Sequence, residues 1–168
     1  MASGVIVHPY SLLRAIPLAS STGSLVLAIS ELISYSGLVQ PPIRRKSDSI
    51  LANYWTYIFP RGVTLVIALN LTTISTSLCN ILLKSPRPGP LPLSRPTFYW
   101  AGLLGAIGHL TFVPFVAPLI QCIVENTDPE YEASKDLDTW LGIHRLRMLV
   151  ADIPAWLAFV GAVLLADS

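Results

Sequence analysis

The sequence has little charge for its length. Only 12% of its 168 residues are charged and 52% are apolar, whereas soluble domains carry about 25% charged residues. Disordered chains are rich in charge and poor in aliphatic side chains, so the same composition excludes disorder. The 11 basic and 10 acidic residues give a net charge of +1, which is too small to hold a polyanion. Nucleic acid is therefore not an expected partner, and the composition indicates a membrane protein.

Residues that bind metals and cofactors are also scarce. The chain has three histidines, His8, His109 and His144, and no GxGxxG sequence. Its two cysteines, Cys79 and Cys122, lack the CxxC spacing of redox and zinc sites. This pattern predicts neither a bound metal nor a nucleotide cofactor. We expect both cysteines to be reduced, buried and inert.

The apolar residues are collected into four runs that are long enough to cross a bilayer, which takes about 20 helical residues. The runs are 12–33, 62–83, 98–120 and 146–166. The second and third contain no Asp, Glu, Lys or Arg, so helices built from them have to be surrounded by protein or by lipid. Too few residues remain outside the runs to surround them. The sequence therefore predicts an all-α fold, a single integral membrane domain over 1–168 that forms a four-helix bundle in the lipid bilayer.

Prolines and charges characterise the connections between the runs. The prolines in 40–42 are expected to end the first helix, and a basic cluster at 44–46 precedes interfacial aromatic residues at 54–59. Five prolines within 84–96 predict a short, extended spacer. Segment 125–138, with six acids and one base, predicts an acidic surface loop that is either a solvated cap or a lid over a site. The distribution of Lys and Arg favours cytosolic first and third connections.

Polar side chains in the second run are numerous enough to occupy one face of its helix. For most of these groups we expect a structural role, hydrogen bonding between helices, which is common in membrane bundles and worth under about 2 kcal/mol for each bond. The residues are Asn70, Thr72, Thr73, Ser75, Thr76, Ser77 and Asn80.

An ionisable residue lies near the middle of the third run. His109 is followed by Pro114 and Pro118, each of which frees a backbone carbonyl and loosens the helix. Ionisable groups within a membrane are costly enough to favour a function. The alternative, that His109 is a satisfied packing residue, stays open.

A second group of ionisable residues stands at the entrance to the fourth run. His144 and Arg147 are three residues apart and hence neighbours on one helical face. A catalytic role is one reading of this group. The other is a basic collar at the membrane surface, with Asp152 as a structural partner.

Two short motifs resemble a known family. The stretch 108–115, which contains His109 and a Pro-Phe pair and leads to Asn126, resembles the third-helix pattern of the anthrone oxygenase family. Trp140, His144 and Arg147 resemble that family's Trp, then Asn or His, then Arg signature. Members are small four-helix membrane proteins known mainly from fungal polyketide gene clusters. The chain departs from the family at Val116, where a Thr is usual, and in Glu31 and Asp152, for which we find no family counterpart.

The resemblance implies oxidation of an anthrone to an anthraquinone by O2, without metal or flavin, in secondary metabolism. Such a reaction needs a base to form the enolate, a cation or donor for the enolate oxygen, and an apolar slot for a flat ring system. We expect His144 or His109 to be the base and Arg147 to be the electrostatic stabiliser. Further candidates are Asn126 and Trp140 as positioning groups, with Glu31 and Asp152 as alternative bases. The resemblance and the multi-span character indicate the endoplasmic reticulum membrane.

Two other function classes remain open. A related membrane enzyme could cyclise, isomerise or hydroxylate another natural-product scaffold with the same base and cation. A non-enzymatic assembly or scaffold protein would use the polar faces for packing. A transporter is less favoured, because four spans without internal repeats need oligomerisation to enclose a path. Homo-oligomerisation and the identity of the apolar aromatic substrate are left open by the sequence.

Overall fold

The computed structural model describes residues 9–82, 94–125, 128 and 130–164. Over these residues the chain is all-α and forms four long segments, without strands. The third segment is interrupted once, and the fourth contains a single π-helical turn. The helices are α1 (Pro9–Leu38), α2 (Pro41–Leu82), α3 (Arg95–Leu110), α4 (Val113–Glu125), α5 (Ala133–Arg147) and, after the π turn Met148–Asp152, α6 (Ile153–Leu164).

Each of the four segments is long and apolar enough to cross a membrane. Many large apolar side chains point outward from the bundle, including Leu71, Leu149 and Leu157, which are each more than half exposed. In water such a surface would be unfavourable, whereas in a bilayer it is solvated by lipid. The protein is therefore an integral membrane four-helix bundle, as its composition predicted.

Polar side chains join the first two segments to their neighbours. Ser20 and Thr73 share a hydrogen bond between their hydroxyls at 2.7 Å, and the Asn80 amide donates to the Leu13 carbonyl at 2.9 Å. These pairs fix an antiparallel register between α1 and α2. The Asn70 amide donates to a carbonyl of α3, that of Ala106, at 3.1 Å. The expected interhelical hydrogen bonding of the second run is confirmed at these positions.

Close packing of small residues joins α3 to α6. A Cβ on Gly102 would lie 2.3 Å from the ring of Phe159, and one on Gly105 would lie 2.8 Å from the Cβ of Ala155. Real side chains do not approach this closely, so only glycine allows the two helices to come together here. The same helices contribute Tyr99 and Phe159 to an apolar cluster at this end of the bundle.

The second helix is longer than the apolar run from which it was predicted. It begins at Pro41, so the basic cluster at 44–46 and the aromatic residues at 54–59 are helical instead of forming a connection. The expectation that α1 ends before this proline pair is met, since α1 stops at Leu38. Proline is also favoured in the first turn of a helix. The same two prolines therefore end one helix and start the next.

The predicted third connection is also shorter than expected. Helix α5 begins at Ala133, so Lys135, Asp136 and Asp138 belong to a helix and only the residues before them form a loop. The predicted extended spacer lies mostly outside the described residues, and its last proline, Pro96, is in the first turn of α3.

The third segment breaks where its prolines predicted weakness. Helix α3 ends at Leu110, and α4 begins at Val113, directly before Pro114. Pro114 has no N–H to donate, and its ring conflicts with the carbonyl of Leu110 one turn earlier. The Thr111 hydroxyl and its backbone N–H both bond to the Gly108 carbonyl, at 2.7 and 3.1 Å. His109 therefore lies in the last turn of α3, beside the break.

The N-terminal parts of α2 and α5 pack with the end of α4 into a structure that we name the cap, formed by 41–59, 119–125 and 133–141. Leu51, Trp55, Leu137 and Leu141 are almost completely buried within it. At its edge Asp48 accepts the backbone N–H of Ser134 at 2.7 Å, which satisfies a free donor in the first turn of α5.

One prediction about packing is wrong. Both cysteines, Cys79 and Cys122, are exposed on the surface of the bundle instead of buried in it. A thiol is apolar enough to face lipid without a polar partner, so an apolar run gives no signal that distinguishes its inner face from its outer face.

Candidate active site

Five ionisable side chains from three segments meet in one layer, which lies between the cap and the apolar cluster of α3 and α6. We name it the polar layer. Its side chains are shielded from solvent, with exposed fractions of 17% for Glu31, 9% for His109, 0% for His144, 11% for Arg147 and 8% for Asp152. All five were singled out from the sequence. The fold brings them together although up to 121 positions separate them in the chain.

His109 and Asp152 form the shortest contact of the polar layer. The Nδ1 atom of His109 lies 2.7 Å from Oδ1 of Asp152. A carboxylate on one ring nitrogen fixes the orientation of an imidazole and stabilises its protonated form. The other nitrogen of His109, Nε2, has no hydrogen-bond partner among the described residues. His109 can therefore exchange a proton at Nε2 while Asp152 holds it.

The second oxygen of Asp152 binds Arg147. The Nε atom of Arg147 donates to Oδ2 of Asp152 at 3.3 Å. In a regular α-helix, residues five apart are turned from each other by about 140° around the axis. The π turn removes this separation: the N–H of Ile153 bonds to the carbonyl of Met148, five residues earlier. Asp152 is thereby rotated back onto the face that carries Arg147.

His144 joins the polar layer to the first helix. Its Nε2 lies 2.9 Å from the carbonyl oxygen of Ala28, and its Nδ1 lies 3.1 Å from Nη2 of Arg147. A carboxylate oxygen of Glu31 is 4.0 Å from the same Nδ1. The predicted neighbourhood of His144 and Arg147 on one helical face is confirmed by this contact.

Aromatic rings extend from His144 into the cap. Trp140 stacks on the His144 ring with centroids 4.7 Å apart. It contacts Trp55 and Tyr35 edge-on at 5.4 and 5.6 Å, and Trp55 stacks on Phe59 at 5.7 Å. The indole N–H of Trp55 is buried and has no partner within the part of the chain that the structure describes. One side of the polar layer is therefore walled by flat, apolar surfaces.

Several members of this site were not found from the sequence. The sequence predicts that the aromatic residues at 54–59 form an interfacial belt, yet Trp55 is only 1% exposed. Tyr35 has a weak signal, because it is four residues after Glu31 and so on the same helical face. The carbonyl of Ala28 gives no signal in the sequence, because every residue has a backbone carbonyl. Asn126, a predicted positioning residue, lies outside the described residues.

A cavity of about 910 Å³ lies elsewhere, between the start of α2 and the loop before α5. None of the polar-layer residues lines it. Beside it, burial and a hydrogen bond from its hydroxyl to Asp136 raise the pKa of Tyr131 well above its ordinary value. The cavity is a feature of the cap, separate from the candidate active site. Its lining includes Arg44, Arg45, Asp48, Asp128, Tyr131 and Glu132.

The chain is similar over almost its whole length to fungal biosynthetic proteins. It is 30% identical over 155 residues to the probable epoxidase scpX of Mollisia scopiformis, covering 92% of this chain and 96% of that protein. It is 28% identical over 162 residues to the epoxidase pydX of Acremonium sp., covering 96% and 98%. The chain belongs to the family of these fungal epoxidases. This is the anthrone oxygenase-like family that the two sequence motifs predicted.

The chain is also similar to the oxaleimides biosynthesis cluster protein N of Penicillium oxalicum. It is 27% identical over 157 residues, covering 90% of this chain and 88% of that protein. No protein-family profile and no solved structure matches the chain. Membership of the epoxidase family supports an oxidative, oxygenase-like role in secondary metabolism.

Proposed function

We propose that this member of the epoxidase family is a membrane oxygenase that uses O2 to oxidise an apolar, unsaturated ketone, by way of its enolate, to an epoxide. The observation that carries the proposal is the pair of His109 and Asp152 next to Arg147. It provides a base with a free nitrogen and a fixed cation within the hydrophobic span. The names of the relatives support the epoxide as product.

In the first step His109 removes a proton from the carbon next to the substrate carbonyl. Nε2 receives the proton, and Asp152 stabilises the resulting imidazolium across the 2.7 Å contact. Arg147 uses one N–H for Asp152 and one for His144. The donors on Nη1 remain to bind the negative oxygen of the enolate.

In the second step the enolate carbon gives its electron pair to O2, and a C–O bond forms. The peroxide anion then takes the proton back from His109, which yields a hydroperoxide and regenerates the base. Transfer of the outer oxygen to a C=C bond of the same substrate gives an epoxide and leaves a hydroxyl group. Atoms and electrons balance with O2 as co-substrate, and we propose that the reaction needs no cofactor because the substrate supplies the electrons.

Anthrone oxidation is the second candidate, favoured by the family motifs around His109 and Trp140. The same hydroperoxide, formed at the central carbon of an anthrone, loses water instead of transferring oxygen. The products are then an anthraquinone and one water molecule. Both candidates use the same base and the same cation, and they differ in the substrate and in the fate of the hydroperoxide.

The substrate reaches the polar layer from the bilayer, into which an apolar polycyclic or polyene ketone partitions. The packed aromatic rings of Trp140, Tyr35 and Trp55 give the layer an apolar border that is compatible with such a molecule. We place the protein in the endoplasmic reticulum membrane as part of this proposal.

The test is O2 consumption by the protein purified in detergent, with a metal chelator present and the uncatalysed rate subtracted. The substrates are hydroxyanthrones and apolar ketones that carry a C=C bond in addition to the one that forms in the enolate. We expect turnover with one of these substrate classes and, with isotopically labelled O2, incorporation of the label into the product. The turnover rate should fall about 100-fold or more in His109→Asn and in Arg147→Leu. The matched control is Arg145→Leu, an exposed arginine two residues from Arg147.

Three results would contradict the proposal. A product isomeric with its substrate, formed without O2, would indicate a cyclase or isomerase. Turnover that stops with chelator would refute cofactor independence. An absence of turnover with every substrate, together with lost partner binding in the variants, would favour the scaffold protein.

A further inference from the structure

The two ring nitrogens of His144 face partners that determine where its proton lies. Nε2 is 2.9 Å from the carbonyl oxygen of Ala28, which can only accept, so Nε2 carries the hydrogen. Nδ1 is 3.1 Å from Nη2 of Arg147, and a guanidinium can only donate, so Nδ1 is unprotonated. His144 is thus the neutral Nε2–H tautomer.

This arrangement leaves His144 no position for a substrate proton. Its Nδ1 lone pair is occupied by Arg147, its Nε2 hydrogen is bound to Ala28, and its side chain is 0% exposed. Trp140 covers one face of the ring. His109 differs at one nitrogen, because its Nε2 is not bonded to any described residue.

We infer that His144 is a positioning residue, which as a neutral hydrogen-bond acceptor fixes the guanidinium of Arg147 in the polar layer, and that it is not the base. The inference rests on the proposed function, because that function gives Arg147 its role at the enolate oxygen.

Two bonds from different atoms define the plane of the Arg147 guanidinium. Nε donates to Asp152 and Nη2 donates to His144, so the side chain can neither rotate nor slide. The remaining donors on Nη1 are then directed away from both partners. The one hydrogen bond to Asp152, without the bond to His144, would leave the group free to turn about a single contact.

Charges of both signs surround His144, and the direct contact with Arg147 is the one that requires a neutral ring. Glu31 approaches it from α1, Arg147 and Asp152 lie on its own segment, and His109 of α3 is linked to it through Asp152. A proton on Nδ1 would place two donors, N–H of His144 and N–H of Arg147, against each other at 3.1 Å. The Arg147 bond to His144 can form only while Nδ1 is unprotonated.

Nitrogen NMR tests the tautomer without any substrate. The chain has only three histidines, so the protein labelled with ¹⁵N at histidine gives a spectrum that His109→Asn and His144→Asn suffice to assign. We expect His144 at pH 7 to show a protonated Nε2 and an unprotonated Nδ1. A protonated Nδ1, alone or in an imidazolium, would overturn the inference.

Kinetics of two nearly isosteric variants tests the role. In His144→Asn the amide oxygen takes the place of Nδ1 and accepts from Arg147, whereas His144→Leu offers no acceptor. We expect kcat/KM to fall about tenfold or less in His144→Asn, the amount that one lost hydrogen bond costs. In His144→Leu it should fall about 100-fold or more. Arg145→Leu is again the control.

The pH profile separates positioning from proton transfer. If His144 only positions Arg147, the pH dependence of kcat/KM in His144→Asn keeps the shape that it has in the wild-type protein. A change of shape would indicate that His144 itself transfers the proton. If His144→Asn is as inactive as His144→Leu while circular dichroism shows native helicity, His144 is the base and the inference fails.

The failure of the two proposals can be told apart. A wild-type protein that turns over no substrate refutes the proposed function, while the NMR experiment still decides the tautomer. A wild-type protein that is active, with a His144→Asn variant that is folded and inactive, refutes only the positioning role.

Discussion

Asp152 is the residue on which the polar layer converges, since its two oxygens bind different residues. One accepts from His109 at 2.7 Å and the other from Arg147 at 3.3 Å. From the sequence, Asp152 could be taken as an alternative base or as a structural partner. Its contacts favour a third role, in which it orients the base and holds the cation at the same time.

We predict that Asp152→Asn lowers kcat by about 10⁴-fold, the loss known for the same change in the orienting carboxylate of a catalytic triad. An amide can present its N–H₂ to Nδ1 of His109, which then moves the ring hydrogen to Nε2 and blocks proton removal. The measurement is turnover in detergent, with helicity checked by circular dichroism. Asp138→Asn, an exposed acid of α5, should leave kcat unchanged. Equal losses in both variants would contradict the role of Asp152.

The sequence could identify the ionisable members of the site because a membrane makes them rare. The sequence could not show which of these ionisable residues contact each other. The contact between Arg147 and Asp152 depends on the π turn, and no residue pattern in 148–152 predicts that turn. The role of Ala28 depends on a backbone carbonyl, and that of Trp55 depends on which face of a long helix is buried.

The helices differ in how they are held together. Helices α1 and α2 are joined by hydroxyl and amide groups, whereas α3 and α6 meet through glycines and aromatic rings. The four spans could be predicted because apolar runs of this length are unambiguous in a 168-residue chain. The N-terminal extension of α2 and the start of α5 could not be predicted, because a charged, amphipathic helix outside the membrane resembles a polar loop in composition.

At the contact of α3 and α6 we predict that Gly102→Ala destabilises the protein by about 1 to 3 kcal/mol, as overpacking does. Its methyl group would lie 2.3 Å from the ring of Phe159. Thermal unfolding in detergent, followed by circular dichroism, measures the effect. The control is Gly142→Ala on α5, where nothing lies within 4 Å of the new Cβ. Adding Phe159→Leu to Gly102→Ala should recover part of the loss, and no recovery would refute the steric cause.

At the contact of α2 and α5 we predict that Asp48→Ala lowers stability by about 1 kcal/mol, the usual cost of losing a helix cap. Its carboxylate accepts the N–H of Ser134 at 2.7 Å, in the first turn of α5. The melting temperature in detergent is the measurement. Glu130→Ala changes a nearby exposed acid of the same charge and should have no effect. An equal decrease in both variants would show that net charge, and not the cap, is responsible.

The whole molecule combines a lipid-facing surface with a polar layer at the level where its membrane spans adjoin the cap. The family membership was predicted from two motifs and is confirmed by relatives that align over more than 90% of the chain. The substrate was not predictable from the sequence, because apolar walls select shape and provide few polar contacts that would identify a particular ring system or chain.

If the substrate enters from the bilayer, the rate depends on its concentration in the lipid. In proteoliposomes we expect that adding empty lipid at constant total substrate lowers the rate, roughly in proportion to the substrate mole fraction in the membrane. A water-soluble ketone of the same reactivity serves as the control and should be insensitive to added lipid. Lipid-independent rates for the apolar substrate would indicate entry from water.

The polar layer also constrains the order in which the protein can be assembled during synthesis. Glu31 and His109 emerge from the ribosome before Arg147 and Asp152, which lie on the last segment. Until that segment is inserted, the first three helices carry a carboxylate and an imidazole without the partners that they have in the folded protein. The bundle can therefore close only after translation of its last segment, which supplies both the cation and the carboxylate that complete the layer.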